Sequence, residues 1–204
     1  GIRFVLTGGY SPDGYTPTTP NLVGLAYPFH GPPAEQYRTG VKVVLHDYER
    51  QLPQVKSIDY LEGVRIQPML RARGVDYALY VDRHGKVRES DRSNYLMVKN
   101  GTLVTPGKDI LHGITRLHLL RLARELAIPV EERTVSITEL READEAIICS
   151  SVKGAMPITE LDGKPVADGK PGPVTQRLMG AWPAYVTRAA STASTTSSSE
   201  AASQ

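Results

Sequence analysis

Lys56, within Leu52-Pro53-Gln54-Val55-Lys56-Ser57-Ile58-Asp59-Tyr60-Leu61, has the widest chemical scope of any side chain in this sequence. A lysine amine attacks carbonyl carbon once it is neutral near pH 7. Burial and a neighbouring cofactor bring this about by disfavouring the ammonium form. Val55 and Ile58 suit such a setting, which makes Lys56 a candidate covalent anchor for an aldehyde cofactor. Alone the residue would signify little, because most lysines are solvated surface groups. Three later segments give it context: Glu89-Ser90-Asp91-Arg92-Ser93-Asn94, Leu111-His112-Gly113-Ile114-Thr115-Arg116, and Ser150-Ser151 ahead of Pro157 and Asp162-Gly163. The second of these opens a helix, and the first free N–H groups of a helix form a ready anion site.

Taken in this order, the segments resemble the class IV (fold type IV) pyridoxal-phosphate enzymes. That family includes branched-chain aminotransferases, D-amino-acid aminotransferases and aminodeoxychorismate lyase. Lys56, Asp59, Tyr60 and Leu61 match the family's Lys-x-x-(x)-(Asn/Asp)-Tyr-Leu setting, and Glu89 begins a Glu-x-x-x-x-Asn run that ends at Asn94. Leu111 to Arg116 is similar to Leu-Pro-Gly-Ile-Thr-Arg, with His112 in place of proline. The resemblance implies that Lys56 forms the internal aldimine and shuttles the proton, and that Tyr60 hydrogen-bonds the cofactor's phenolic oxygen. Glu89 would keep the ring nitrogen protonated with Asn94 beside it. Gly113, Ile114 and Thr115, with Ser150 and Ser151, would hold the phosphate.

The implied activity is transamination between an amino acid and a 2-oxo acid, in a homodimer. Where typical D-amino-acid enzymes carry an arginine and a histidine for the substrate carboxylate, this chain has Asp13 and Tyr15. That leaves a branched-chain-type or an atypical D-specific enzyme, since an acidic group cannot make the bidentate contact. Two alternatives stand beside this reading: aminodeoxychorismate lyase of the same fold, and a catalytically incomplete fragment or non-enzymatic homologue.

The elements that must position these residues follow from periodicity and turn chemistry. Strand-like runs at 2–7 and 21–27 flank a Gly- and Pro-rich turn, and Val41–Leu45 reads as a further strand. Tyr60 to Arg73 reads as a helix that Pro68 should kink or interrupt. Hairpins are expected at 77–89, at 95–104 around Asn100-Gly101, and at 161–166. Ile114, Leu117, Leu120, Ala123 and Leu126 recur at helical spacing, with Pro129 just beyond. Ala146 to Cys149 is a buried-strand candidate, and Gly169 to Thr175 reads as a turn into a last helix. Strands and helices mixed without a regular βαβ rhythm indicate an α+β fold. By resemblance this is the large cofactor-binding domain with a remnant of the small N-terminal one: 1–28 the end of the small domain, 29–35 a linker, 36–186 the large domain. The Ala/Ser/Thr-rich stretch 187–204 is expected to be disordered.

Composition excludes several classes of function. Across 204 residues, 24 basic and 22 acidic side chains are well mixed and leave a formal charge of +2, which favours neither nucleic acid nor an anionic membrane as partner. The 40% hydrophobic content is enough for a core. No apolar run approaches the roughly 20 residues that cross a bilayer. The five histidines are scattered without ligand spacing, so no metal site is expected. Cys149 has no disulfide partner in the chain and reads as a small core residue, and a reducing, cytoplasmic setting is the default. The chain starts at Gly1 on an apolar run, with neither initiator methionine nor signal peptide, and reads as part of something longer.

Overall fold

The computed structural model describes residues 1–201, and side chains as far as Ser191. The chain divides into two compact units, Gly1–Gly31 and Pro32–Gln204, and the division falls within the segment read as a linker. The first unit is a hairpin of β1 (Ile2–Thr7) and β2 (Asn21–Ala26), antiparallel, with Ile2 opposite Ala26 and Thr7 opposite Asn21. Its connecting turn is organised by Asp13, whose carboxylate accepts bonds from the N–H groups of Tyr15 and Thr16 and the hydroxyls of Ser11 and Thr16. Those four donors hold the Asp13 carboxyl well below the ordinary carboxylate range, the Thr16 N–H contributing most.

The second unit begins with α1 (Ala34–Thr39), β3 (Val41–Asp47), α2 (Leu61–Arg65), α3 (Gln67–Arg73), β4 (Tyr77–Val81) and β5 (Lys86–Ser90). It continues through β6 (Asn94–Lys99), β7 (Thr102–Thr105), α4 (Ile114–Glu125), β8 (Val130–Glu132), β9 (Val135–Ser136) and α5 (Ile137–Arg141). β10 (Glu145–Ser150), β11 (Gly154–Leu161), β12 (Lys164–Pro165) and α6 (Pro173–Ala201) complete it. The helix expected over 60–73 is thus two helices, broken at Ile66, with Pro68 in the first turn of α3, where its missing N–H does no harm. Asn100 and Gly101 both take positive φ, 50° and 76°, as the tight β6–β7 turn requires.

One mixed sheet carries the unit, in the order β8-β7-β6-β10-β11-β3-β4-β5-β9 with β12 on β11. Alternation along its strands builds cores on both faces. Tyr95, Met97, Ala146, Ile148, Leu79 and Val43 join one cluster. Leu96, Val98, Ile147 and Cys149 pack instead beneath α4 and α6, and Val44, Ala78 and Tyr80 pack beneath α2 and α3. The face that α4 buries differs from its apolar repeat. Arg116 is buried while Ile114 and Leu117 are exposed, because the guanidinium is satisfied by the Thr105 hydroxyl, the Pro106 carbonyl and Glu132.

The Gly-Pro-Val-Thr run before the last helix has a structural role. The buried Glu145 carboxylate accepts the N–H groups of Val174 (2.9 Å) and Thr175 (2.7 Å) and the Thr175 hydroxyl (2.6 Å), capping α6 with a negative charge at its positive end. A Cβ on Gly172 would lie 2.2 Å from the Glu145 carboxyl carbon, so the cap needs glycine there. α6 runs on to Ala201, into the stretch expected to be disordered, with neither glycine nor a further proline after Pro183 to break it. The remainder of that expectation, 202–204, lies outside the described residues. No helix among the described residues is long and apolar enough to cross a membrane.

Candidate active site

A cavity of about 230 Å³ opens where several strand ends meet the start of α4, and all the residues singled out above line it: Lys56, Tyr60, Glu89, Asn94, Gly113, Ile114, Thr115, Ser150 and Ser151. Glu89 reaches it through a register shift between β4 and β5, where Val81 faces Val87 but Leu79 faces Ser90. Val87 points into the core, and the shift lets Glu89, two residues on, line the cavity instead of following it inside.

Glu89 is only 5% exposed, and each of its carboxylate oxygens is engaged. Arg50 donates to Oε1 at 3.0 Å, and the Leu111 N–H to Oε2 at 3.1 Å, with the Asn94 amide 3.4 Å from the same oxygen. Burial pushes its pKa above the ordinary glutamate value, and the Arg50 and Leu111 bonds oppose this without overcoming it. Asn94 also donates to the Leu111 carbonyl at 2.7 Å, so its amide ties Glu89 to the chain entering α4. Its other amide atom packs on Gly113, where a Cβ would lie 2.1 Å from Oδ1.

Arg50 is the site residue that sequence reasoning missed. Besides Glu89 it binds the carbonyls of Pro53 (3.0 Å) and Val55 (2.7 Å), the latter adjacent to Lys56. Its only signal in the sequence is a place just beyond a strand, which does not set it apart from other arginines. Lys56 itself corrects the expectation of a buried amine. It sits in an irregular loop and is exposed, as are Val55 and Ile58 beside it. Tyr60, at the start of α2, is 46% exposed. Cys149 is buried as expected but also lines the cavity, and burial pushes its thiol up to about 12, which makes it a poor nucleophile.

At the other end of the cavity α4 begins at Gly113 with no side-chain cap, so its first N–H groups, including those of Ile114 and Thr115, face the opening. Ile114 can serve only through its backbone there, because its side chain is turned out to solvent. The Ser150 hydroxyl is buried against the cavity with no partner among the described residues. An uncapped helix start, an orphaned hydroxyl and an anchored carboxylate are donor and acceptor chemistry that would fit a phosphate-bearing pyridine cofactor.

The family model for amino-transferase class IV matches residues 1–161. The D-alanine aminotransferase of Bacillus licheniformis is 32% identical over 163 residues, covering 78% of this chain and 57% of that protein. Among solved structures, the branched-chain aminotransferase of Escherichia coli superposes with a TM-score of 0.80 at 28% identity, covering 89% of this chain and 64% of that one. The branched-chain aminotransferase of T.th., in complex with N-(5'-phosphopyridoxyl)-L-glutamate, superposes with a TM-score of 0.68 at 25% identity, over 74% of this chain and 52% of that one. The chain therefore spans roughly half to two thirds of the length of these relatives.

Two outcomes follow from this geometry. Gly113→Ala forces the Asn94 amide off its seat, with an expected loss of about 1–3 kcal/mol of stability and weaker cofactor binding. A chemical melt and a cofactor titration check this, and an unchanged variant would remove Asn94 as the tie between Glu89 and α4. The raised Glu89 pKa means that the folded chain holds this proton more tightly than the unfolded chain does. The cofactor-free protein should thus lose stability as pH rises from the ordinary glutamate value through the raised one. Glu89→Gln should lack this part of the slope, which thermal melts across the weakly acidic range would show.

Proposed function

The chain belongs to the amino-transferase class IV family, and from that premise we propose that it transfers an amino group between an amino acid and a 2-oxo acid, using pyridoxal 5'-phosphate held in the cavity around Lys56 and Glu89. The observation that carries the reading is the buried Glu89 carboxylate, fixed by Arg50 and Leu111 and facing the same cavity as Lys56 and the uncapped start of α4. When bound, the cofactor supplies an electron sink that makes the substrate's α-proton acidic. Glu89 holds the ring nitrogen in its protonated form, and Lys56 is the covalent anchor. The Lys56 amine would also take up the proton from the substrate's α-carbon. Ile114, Thr115, Ser150 and Ser151 bind the phosphate, while Tyr60 borders the ring's phenolic oxygen.

Pairing in a homodimer is part of the proposal. Leu52, Val55, Ile58, Leu61 and Val64 are exposed together beside the cavity, a concentration of apolar surface that isolated soluble units seldom leave bare. A second copy seated there would also bury the Lys56 loop and supply the desolvation its amine needs. Substrates of the branched-chain or D-amino-acid kind remain within the reading, since relatives named for each are similar to this chain.

Adding pyridoxal phosphate and removing the excess should leave a visible absorbance band that changes on addition of an amino acid. Lys56→Ala should show no such band and lose roughly 10³-fold or more in amino transfer to 2-oxoglutarate. An identical band in the variant would sink the anchor assignment, and pyruvate release without an oxo-acid acceptor would point to lyase chemistry instead. Light scattering should give about twice the 22.3 kDa chain mass. Ile58→Asp with Leu61→Asp should halve that value, and a double variant that still pairs would move the dimer contact elsewhere.

A further inference from the structure

An amino-acid substrate brings a carboxylate into the cavity, and among the described residues that line it the cations are Arg50, Lys56 and Arg92. Arg50 is occupied by Glu89 and two backbone carbonyls. Lys56 is the proposed anchor. The acids on the wall are largely engaged too: Glu89 by Arg50, Glu62 by Arg65 and His46, and Asp91 by Arg92 and the Ser90 hydroxyl. We propose that Arg92 is the residue that recognises the substrate carboxylate, an inference that rests on the aminotransferase reading above.

Its guanidinium is held in place without being used up. Nε donates to Asp91 Oδ2 at 3.1 Å, and the group lies 5.4 Å from the centre of the Tyr77 ring. The side chain is 49% exposed, and its two terminal nitrogens have no protein partner among the described residues. A planar fork braced on one edge and one face is preorganised to bind a carboxylate with the edge that is left. The turn that carries it joins Glu89 to Asn94, so the fork is attached to the same rigid strand ends that fix the carboxylate for the ring nitrogen.

The surroundings add positive potential. The Lys153 amine lies 4.7 Å from the centre of the same Tyr77 ring and donates to the Ser93 hydroxyl at 3.1 Å. Burial, and after it the charge of Arg92, lowers its pKa, as expected where two cations approach one another. Asp91 is the carboxylate set against both, so an arriving anion finds a local excess of positive charge. The α-carboxylate is common to every amino-acid donor and every 2-oxo acid acceptor, so one arginine can serve both halves of a transfer.

The test compares wild-type chain with Arg92→Gln and Arg92→Lys, each loaded with pyridoxal phosphate, by calorimetric titration of 4-methylpentanoate, a carboxylate with no amine to react, and of its neutral amide. The carboxylate should bind about ten- to a hundredfold more weakly to Arg92→Gln and with intermediate strength to Arg92→Lys, with amide binding and cofactor affinity unchanged. Equal carboxylate binding by Arg92→Gln and wild type would overturn the assignment, as would a wild type that does not distinguish acid from amide. Loss of cofactor affinity in Arg92→Gln would also overturn it, by giving the arginine to the phosphate. If no form takes up the cofactor, the aminotransferase reading fails separately, and the same titrations on the cofactor-free chain still decide the role of Arg92.

Discussion

Glu89 and Arg50 form the ion pair on which the rest of the site is hung. A carboxylate this buried is costly unless its oxygens are satisfied, and removing one partner of such a pair typically costs about 3–5 kcal/mol. Here the cost is reduced, though not cancelled, by groups drawn from three separate stretches of chain. Arg50 reaches in from just beyond β3 and also binds Pro53 and Val55, so the carboxylate indirectly sets the course of the Lys56 loop. The Leu111 N–H and the Asn94 amide tie it to the chain that turns at Gly113 into α4. One acid therefore connects the Lys56 loop with the chain entering α4.

The start of α4 and the turn after β10 have their own support, and that support is mainly steric. Gly113 has no room for a Cβ because Asn94 occupies the space, and Gly154, at φ +61°, would place one 2.8 Å from the Trp182 indole nitrogen. The turn after β10 that carries Ser150 and Ser151 is thus backed by α6, and α6 is started by the Glu145 cap. A helix without chemistry of its own therefore packs against the turn that follows both serines. Because close packing transmits small shifts, the long connection from Glu145 through α6 back to Ser150 is a positioning device and not only a lid on the core.

Local features of the sequence were legible to the extent that they are determined locally. The Asn100-Gly101 turn, the α4 start at Gly113, the hairpin after Asp82 and the buried run Ala146–Cys149 all follow from backbone preference or alternation. The convergence of Lys56, Glu89 and the Gly113 segment was readable as motif order. What escaped reading depends on partners distant in sequence. The burial of Arg116 depends on Thr105, Pro106 and Glu132, so the apolar repeat alone misplaces the inner face of α4. Arg50 gains its role only when β3 is laid near β5. The register shift that brings Glu89 to the cavity belongs to a strand pair and to neither strand by itself. The exposure of Lys56 is of the same kind, because flanking Val55 and Ile58 signal burial only if another surface covers them.

These two kinds of residue divide the work of the site. Most of the groups that would hold the cofactor stand on strand ends and at the start of α4, while Lys56 and Tyr60 stand apart on the exposed 51–60 stretch. Arg92, proposed for the substrate, stands on the Ser90–Ser93 turn, whose other three residues are buried. A scaffold arranged this way can keep its cofactor chemistry while its substrate changes, so relatives named for D-alanine and for branched-chain amino acids can resemble one chain to a similar degree. Resemblance across the floor of the cavity then carries little information about substrate. The Arg92 fork, proposed for the carboxylate that all such substrates share, belongs with this constant part of the site.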